Sequence, residues 1–111
     1  MLTAAGIRVL EFNARFGDPE AQVVLPRLKS DAVRLMLEAA RGDLSPVGEL
    51  EWDPRPCVGI VVASGGRELT LVALGDTVGE AREAVLETIG RVRFNGAFHR
   101  RDIAQEPSSI A

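Results

Sequence analysis

Three residues at alternate positions, Glu11, Asn13 and Arg15, offer the most specific opportunity for chemistry in the chain. On an extended strand, residues two apart face the same side, so the Glu11 carboxylate and the Asn13 amide oxygen can converge on one hard cation. That is ligation of the magnesium type. If the extension continues, Arg15 lies on the same side and presents a planar guanidinium beside the metal, where phosphate or carboxylate oxygens would be held. Asp18-Pro19-Glu20 follows at once, with a capping acid, a proline at the first helical position and an acid in the first turn, which together predict a helix start. The free N–H groups of such a start favour an anion, though its two acids reduce its pull on a phosphate. Spacing alone leaves plainer readings open. Glu-x-Asn-x-Arg is also the polar side of a half-exposed strand, and Asp18-Pro19-Glu20 is also a simple cap.

The elements that must position these residues can be read in turn. Ile7 to Phe12, rich in β-branched and aromatic residues, predicts a strand that ends in Asn13 to Asp18. Pro26 breaks or kinks the helix that begins at Asp18. Ser30-Asp31 caps a second helix, on which Val33, Met36, Leu37 and Ala40 form an apolar face that needs a packing partner, and Gly42 stops it. Asp43 to Asp53 reads as a loop, with Trp52 as its packing anchor. Pro56 to Ser64 is a nearly continuous apolar run, predicting a strand covered on both faces, and Leu69 to Leu74 is its partner. Ser64-Gly65-Gly66-Arg67 between them predicts the tight turn of an antiparallel hairpin. Thr77-Val-Gly-Glu80 is a capping box for a helix whose Val78, Ala81, Val85 and Ile89 share a face and which ends near Gly90. A short strand at Val92 to Phe94 and a polar tail complete an α+β order, with a mostly antiparallel sheet and two or three packed helices.

Composition narrows the classes of function. The 111 residues suit one compact domain. Thirteen Lys plus Arg against sixteen Asp plus Glu give a net charge of −3, which argues against nucleic acid as a partner. No stretch approaches the roughly 20 apolar residues of a membrane span, and the opening Met-Leu-Thr-Ala-Ala-Gly lacks the marks of a secretory signal, so the expectation is a cytoplasmic chain with no membrane partner. The single Cys57 excludes an internal disulfide and reads as an inert core thiol. His99 has no second His or Cys to share a zinc ion, and Arg91, Arg93, Arg100 and Arg101, near Asp102 and Glu106, read as a solvated face.

The full string alters the balance between the chemical and the plain readings. Val9-Leu10-Glu11-Phe12-Asn13 followed by Arg15-Phe16-Gly17-Asp18-Pro19-Glu20-Ala21-Gln22 closely resembles the signature of glycinamide ribonucleotide synthetases, the phosphoribosylamine to glycine ligases of purine synthesis. The likeness extends to Met1-Leu2-Thr3, Leu28-Lys29-Ser30-Asp31, Trp52-Asp53-Pro54-Arg55-Pro56, Val62-Ala63-Ser64-Gly65-Gly66, Ala73-Leu74-Gly75 and Arg100-Arg101-Asp102-Ile103, nearly the whole chain. The resemblance implies an ATP-grasp fold that phosphorylates the glycine carboxylate with magnesium ATP, after which the phosphoribosylamine amine attacks the acyl phosphate. It implies Glu11 and Asn13 as ligands for magnesium, with manganese as a substitute, Arg15 as the residue that steadies the γ-phosphate or acyl phosphate, and Asp18 as part of the substrate pocket.

Two departures follow from the same resemblance. Its modules for phosphoribosylamine, the adenine clamp and the phosphate-covering loop have no counterpart in these residues. Residues 1–45 then supply the metal-binding strand and helices of an ATP-grasp core, and residues 46–111 a hairpin-helix portion, packed as one unit. The family also has a longer stretch where Ser64-Gly65-Gly66-Arg67 here joins two strands directly, as an in-frame loss between two Gly-Gly segments would leave it. The expectation is a ligase chain without turnover of its own. The alternative is a non-catalytic assembly module that complements a protein supplying the missing modules, with uncovered apolar surface on Ile7 to Phe12 and around Met36.

Overall fold

The computed structural model describes residues 1–3 and 5–105, so Glu106 and the rest of the polar tail lie outside the described residues. The elements in chain order are β1 (Leu2–Thr3), β2 (Gly6–Ile7), α1 (Ala21–Val24), a 3-10 turn (Leu25–Arg27), α2 (Ala32–Arg41), β3 (Cys57–Ala63), β4 (Arg67–Leu74), α3 (Val78–Ile89) and β5 (Phe98–His99). One antiparallel sheet runs in the order β4-β3-β5, and β1 and β2 form a separate two-stranded ribbon. The class is α+β, as the order of elements predicts.

The core lies between β3 and α3. Val58, Ile60 and Val62 alternate along β3 and point into it, meeting Ala81, Val85 and Ile89 from one stripe of α3. This corrects the expectation that β3 is fully covered on both faces, since Cys57, Gly59, Val61 and Ala63 on the other face are only half-buried. The hairpin forms as its sequence predicts, with Cys57 opposite Leu74 and Ile60 opposite Leu71, and a register shift between Val62 and Ala63. Its turn is Ser64-Gly65-Gly66, closed by Ser64 N–H donating to the Gly66 carbonyl at 3.0 Å, with Gly65 at φ +79° where a side chain would be strained.

Two of the three capping signals are realised. Thr77 accepts from the Glu80 N–H, and Glu80 reaches back to the Thr77 N–H. Asp31 accepts from the N–H groups of Val33 and Arg34, and Gly42 ends α2 at φ +81°. Val78, however, stays 45% exposed at the start of α3. The expected partner for α2 is likewise missing: the helix buries no residue, and Val33, Met36 and Leu37 are exposed.

Three further expectations are corrected. The predicted strand at Ile7 to Phe12 is realised only at Gly6–Ile7, paired with Leu2–Thr3 and followed by Arg8 N–H donating to the Met1 carbonyl at 2.9 Å, because no described strand lies beside residues 9–12. The first helix starts at Ala21 rather than at Pro19, after a turn containing a cis Asp18-Pro19 bond, and its N-cap residue is Glu20, whose side chain makes no capping bond. The last strand is Phe98–His99, paired with Ala63 and Val62, rather than Val92 to Phe94. There the chain is still finishing α3, with Arg91 and Val92 N–H groups donating to Thr88 and Ile89 carbonyls.

The long loop after α2 is stitched to the turn before that helix. Asp53 N–H donates to the Arg27 carbonyl at 2.7 Å, Arg27 Nε donates to the Asp53 carbonyl at 3.2 Å, and Leu28 bridges Trp52. Trp52 is 44% exposed, so the anchor is Asp53, which is buried at 8% exposure. Its carboxylate accepts from Arg55 through the backbone N–H at 2.9 Å, Nε at 3.1 Å and Nη2 at 2.8 Å. Those hydrogen bonds, with the Arg55 and Lys29 charges behind them, hold the Asp53 carboxyl well below the usual carboxylate range.

A carboxyl depressed in the folded state stabilises the fold above its unfolded pKa of about 3.9 and loses that contribution as pH falls further. Asp53→Asn is therefore expected to melt several degrees below the parent at pH 7, with the gap closing between pH 4 and pH 2 in paired thermal melts. An unchanged gap at low pH would show that packing, not charge, makes the difference. Among the described residues, no helix is long and apolar enough to cross a membrane.

Candidate functional site

Glu11, Asn13, Arg15, Gly17, Asp18 and Glu20 line one concavity of about 470 Å³ on the segment between β2 and α1. The structure thus brings together all four residues that the sequence singles out, although the segment is not a strand. Glu11 and Asn13 are neighbours, as the two-residue spacing requires, with Asn13 Nδ2 donating to Glu11 Oε1 at 3.2 Å. Arg15 Nη1 donates to the Phe16 carbonyl at 2.8 Å. Asp18 Oδ1 accepts from Gln22 Nε2 at 2.7 Å, so its carboxylate engages a side chain one turn along α1.

Two residues join the site that the motif reading left out. Gly17 and Glu20 belong to the same wall, and a Cβ on Gly17 would overlap Glu20 Oε2 and sit 2.8 Å from the Glu20 Cβ. Glycine there lets the Glu20 side chain fold across the loop. The signal was present in Gly17-Asp18-Pro19-Glu20, but a proline between two acids reads first as helix punctuation.

Two oxygen donors about 2.9 Å apart can occupy adjacent positions around an octahedral ion with ligands at about 2.05 Å. The Glu11 and Asn13 side-chain ends are 3.2 Å apart, and turning the Asn13 amide over would bring its oxygen toward the carboxylate, an orientation set by partners and not by shape. The donor set therefore fits a magnesium-type ion in part. Among the described residues no three His, Cys, Asp or Glu side chains converge on one point, so such an ion would complete its shell with water and ligand oxygens.

The scaffold reaches this wall through α1. Val23 on α1 lies against β3 at Gly59, where an added Cβ would come 2.7 Å from Val23 Cγ1 and 3.3 Å from Val72 Cγ1. Gly59→Ala is expected to push α1 off the sheet and cost about 1–3 kcal/mol. Adding Val23→Ala should recover much of that loss, giving a coupling in denaturant melts that independent sites would not show.

The remaining candidates settle as structural. Burial pushes the Cys57 thiol pKa up, against the pull of nearby Arg27, the opposite of what activates a nucleophilic thiol. Arg91 pairs with Glu87 and Arg100 with Asp102, so the arginine-rich end is partly neutralised at the surface. His99 pairs in β5 beside Val62. Arg82, which no motif flagged, donates through Nε to the Ile103 carbonyl at 2.9 Å and ties the chain after β5 to α3.

Residues 49–106 match the family described as phosphoribosylglycinamide synthetase, C domain. The chain belongs to that family. It is 34% identical to a phosphoribosylamine–glycine ligase of Rhodopirellula baltica over 148 positions, covering 96% of this chain and 34% of the relative. A ligase of the same name from Caldanaerobacter subterraneus is 35% identical over 94% of the chain and 34% of its own length. That from Mycobacterium leprae is 36% identical over 92% of the chain and 33% of its own. The chain therefore spans about a third of the length of these relatives. The matched stretch, at 148 positions in the first of them, also exceeds the 111 residues of this chain, so relatives carry residues with no counterpart here. The family match covers the hairpin and α3, while the Glu11 to Glu20 wall lies before it.

Proposed function

We propose that this chain supplies one wall of a phosphoribosylamine–glycine ligase site, working as part of an ATP-grasp enzyme of purine synthesis in the cytoplasm. The observation that carries the reading is the convergence of Glu11, Asn13, Arg15 and Asp18 on one concavity in a member of this family. Glu11 and Asn13 would hold magnesium, with manganese as a substitute, and the ion when bound would neutralise charge on ATP phosphate oxygens.

Arg15 holds the oxygens of the transferring phosphoryl group, where a guanidinium fork matches them in shape and charge. Its hydrogen bond to the Phe16 carbonyl restrains the side chain beside the Glu11-Asn13 pair, and little reorganisation is then needed as charge shifts from ATP to the glycyl phosphate. Asp18, steadied by Gln22, and Glu20 add negative charge to the lining of the concavity, which suits the ammonium of glycine or the amine of phosphoribosylamine. Amine attack on the acyl carbon then releases phosphate and forms the amide.

One wall binds magnesium weakly, because the ion keeps most of its waters until phosphates complete its shell. The 111-residue chain alone is therefore expected to release no ADP from magnesium ATP in response to glycine and phosphoribosylamine. Combined with the portion of a ligase outside its matched stretch, it is expected to gain that release. Glycine-dependent turnover by the chain alone would overturn the one-wall reading, and none in the combination would overturn the ligase reading.

A further inference from the structure

We propose that Asn95-Gly96 is a self-modification site, at which the chain converts asparagine to aspartate and isoaspartate, and that Ser64 is the clamp that sets its rate. An asparagine holds its side-chain amide carbon one bond short of a five-membered ring with the next residue's nitrogen, and a glycine there has no Cβ to shield that nitrogen. Asn95 and Gly96 are both exposed. Among the described residues the Gly96 N–H donates to no acceptor, so no hydrogen bond holds the attacking nitrogen back. The chain's other asparagine is the poorer candidate on two counts. Asn13 is followed by Ala14, whose Cβ crowds the nitrogen, and its side-chain amide is engaged with Glu11 at 3.2 Å.

The chemistry needs water and nothing else. The Gly96 nitrogen bonds to Asn95 Cγ, the bond from Cγ to Nδ2 breaks, and the proton lost from Gly96 departs with Nδ2 as ammonia, leaving a cyclic imide. Water then opens the imide at either of its carbonyl carbons. Cleavage of the new bond to Cγ gives aspartate, whereas cleavage of the bond to the main-chain carbonyl carbon gives isoaspartate, which routes the backbone through Cβ and lengthens it by one atom.

The structure supplies a brake. Ala97 N–H donates to the Phe94 carbonyl at 3.2 Å and closes a four-residue turn with Asn95 at negative φ and Gly96 at φ +72°, the pattern of a type II turn. In such a turn the Asn95–Gly96 peptide unit carries its nitrogen away from the Asn95 Cβ, so the unit must rotate before the ring can close. Its oxygen is the atom that Ser64 holds, with Ser64 Oγ donating to the Asn95 carbonyl at 2.7 Å. The turn also lies close on that serine, since a Cβ on Gly96 would come 3.2 Å from Ser64 Oγ. Position gives the reaction a consequence. The turn joins the end of α3 to β5, whose Phe98 and His99 pair with Ala63 and Val62, and one more backbone atom at residue 95 works against both the Ser64 contact and that register.

Tandem mass spectrometry of tryptic peptides, taken from the full chain as it ages in neutral buffer, tests this. Residues 94–100 and 9–15 leave as separate peptides, so Asn95 and Asn13 are read side by side. Asn95 is expected to convert at least 10-fold faster than Asn13, with isoaspartate among the products. Ser64→Ala should speed the conversion of Asn95 by about 3- to 10-fold, the worth of one hydrogen bond, and unfolding the parent in guanidinium should speed it at least as much. That second comparison reads the brake if the alanine variant does not fold. The isoaspartate fraction, separated by chromatography, is expected to melt several degrees below the parent. No conversion of Asn95 in the folded chain would overturn the site, and equal rates in the folded parent and in the folded alanine variant or the unfolded chain would overturn the clamp. Unchanged melting of the isoaspartate fraction would overturn the link to β5.

Discussion

Glu11→Gln is expected to lower glycine-dependent ADP release from the assembled ligase on the order of 100-fold. The substitution keeps the shape and one oxygen donor but removes the charge, so it should raise the magnesium concentration needed for half-maximal rate and be partly rescued by excess magnesium. Arg15→Lys is expected to behave differently. Lysine keeps the charge and loses the planar fork that meets two phosphoryl oxygens together, so its loss, roughly 10-fold or more, should fall on kcat at every magnesium concentration. The concavity holds Glu11, Asp18 and Glu20 against Arg15, and an excess of acid favours the metal while making the arginine the main cationic side chain for a phosphate. If both variants shifted only the magnesium dependence, Arg15 would be acting through the metal and its assignment to the phosphoryl group would fail.

The legible parts of this chain are those whose cause lies within a few residues. The Thr77-Glu80 box, the Asp31 cap, the Gly42 stop and the Gly65 turn are all local devices, and the stripe of Ala81, Val85 and Ile89 follows from helical period alone. The grouping of Glu11, Asn13 and Arg15 along one concavity was legible for a related reason, since residues two apart stay close in the loop that replaces the expected strand. What could not be read depends on distant backbone. Ile7 to Phe12 has the composition of a strand, but a strand exists only where another lies beside it, and among the described residues its partners are at Leu2–Thr3 and no further. Val92 to Phe94 lost its place to Phe98–His99 because β3 is reached only after the chain has turned out of α3. Asp53 read as a loop acid, yet the Arg27 backbone and the Arg55 side chain make it the buried anchor between two halves of the chain. The apolar face of α2 was read as well, together with its need for a partner. Its exposure shows that an amphipathic pattern states a requirement that another surface must meet.

Ile60→Ala is expected to be the most destabilising single change, at about 2–5 kcal/mol, because it deletes a large side chain from the centre of the core and the packed neighbours close over only part of the gap. Ile60 is 1% exposed, opposite Leu71 in the hairpin and clustered with Val85 of α3. The described buried apolar core is six residues, all on β3 and α3, so a domain whose total stability is about 5–15 kcal/mol has few other contacts to absorb the loss. The melting temperature should fall on the order of 10 °C or more, and Ile60→Val, expected to cost about 0.5–1.5 kcal/mol, gives a readable value if the alanine variant does not fold. Val33→Ala is the counterpart. Val33 is 76% exposed on α2, and alanine is the better helix former by about 0.5 kcal/mol, so its melting temperature should hold or rise slightly. A comparable loss at Val33 would mean that α2 is packed in solution, and the surface that it offers to a second body would then already be taken. A loss confined to Ile60 would place the stability of this chain in the β3–α3 core, leaving the Glu11 to Glu20 wall free to be ordered by what binds it.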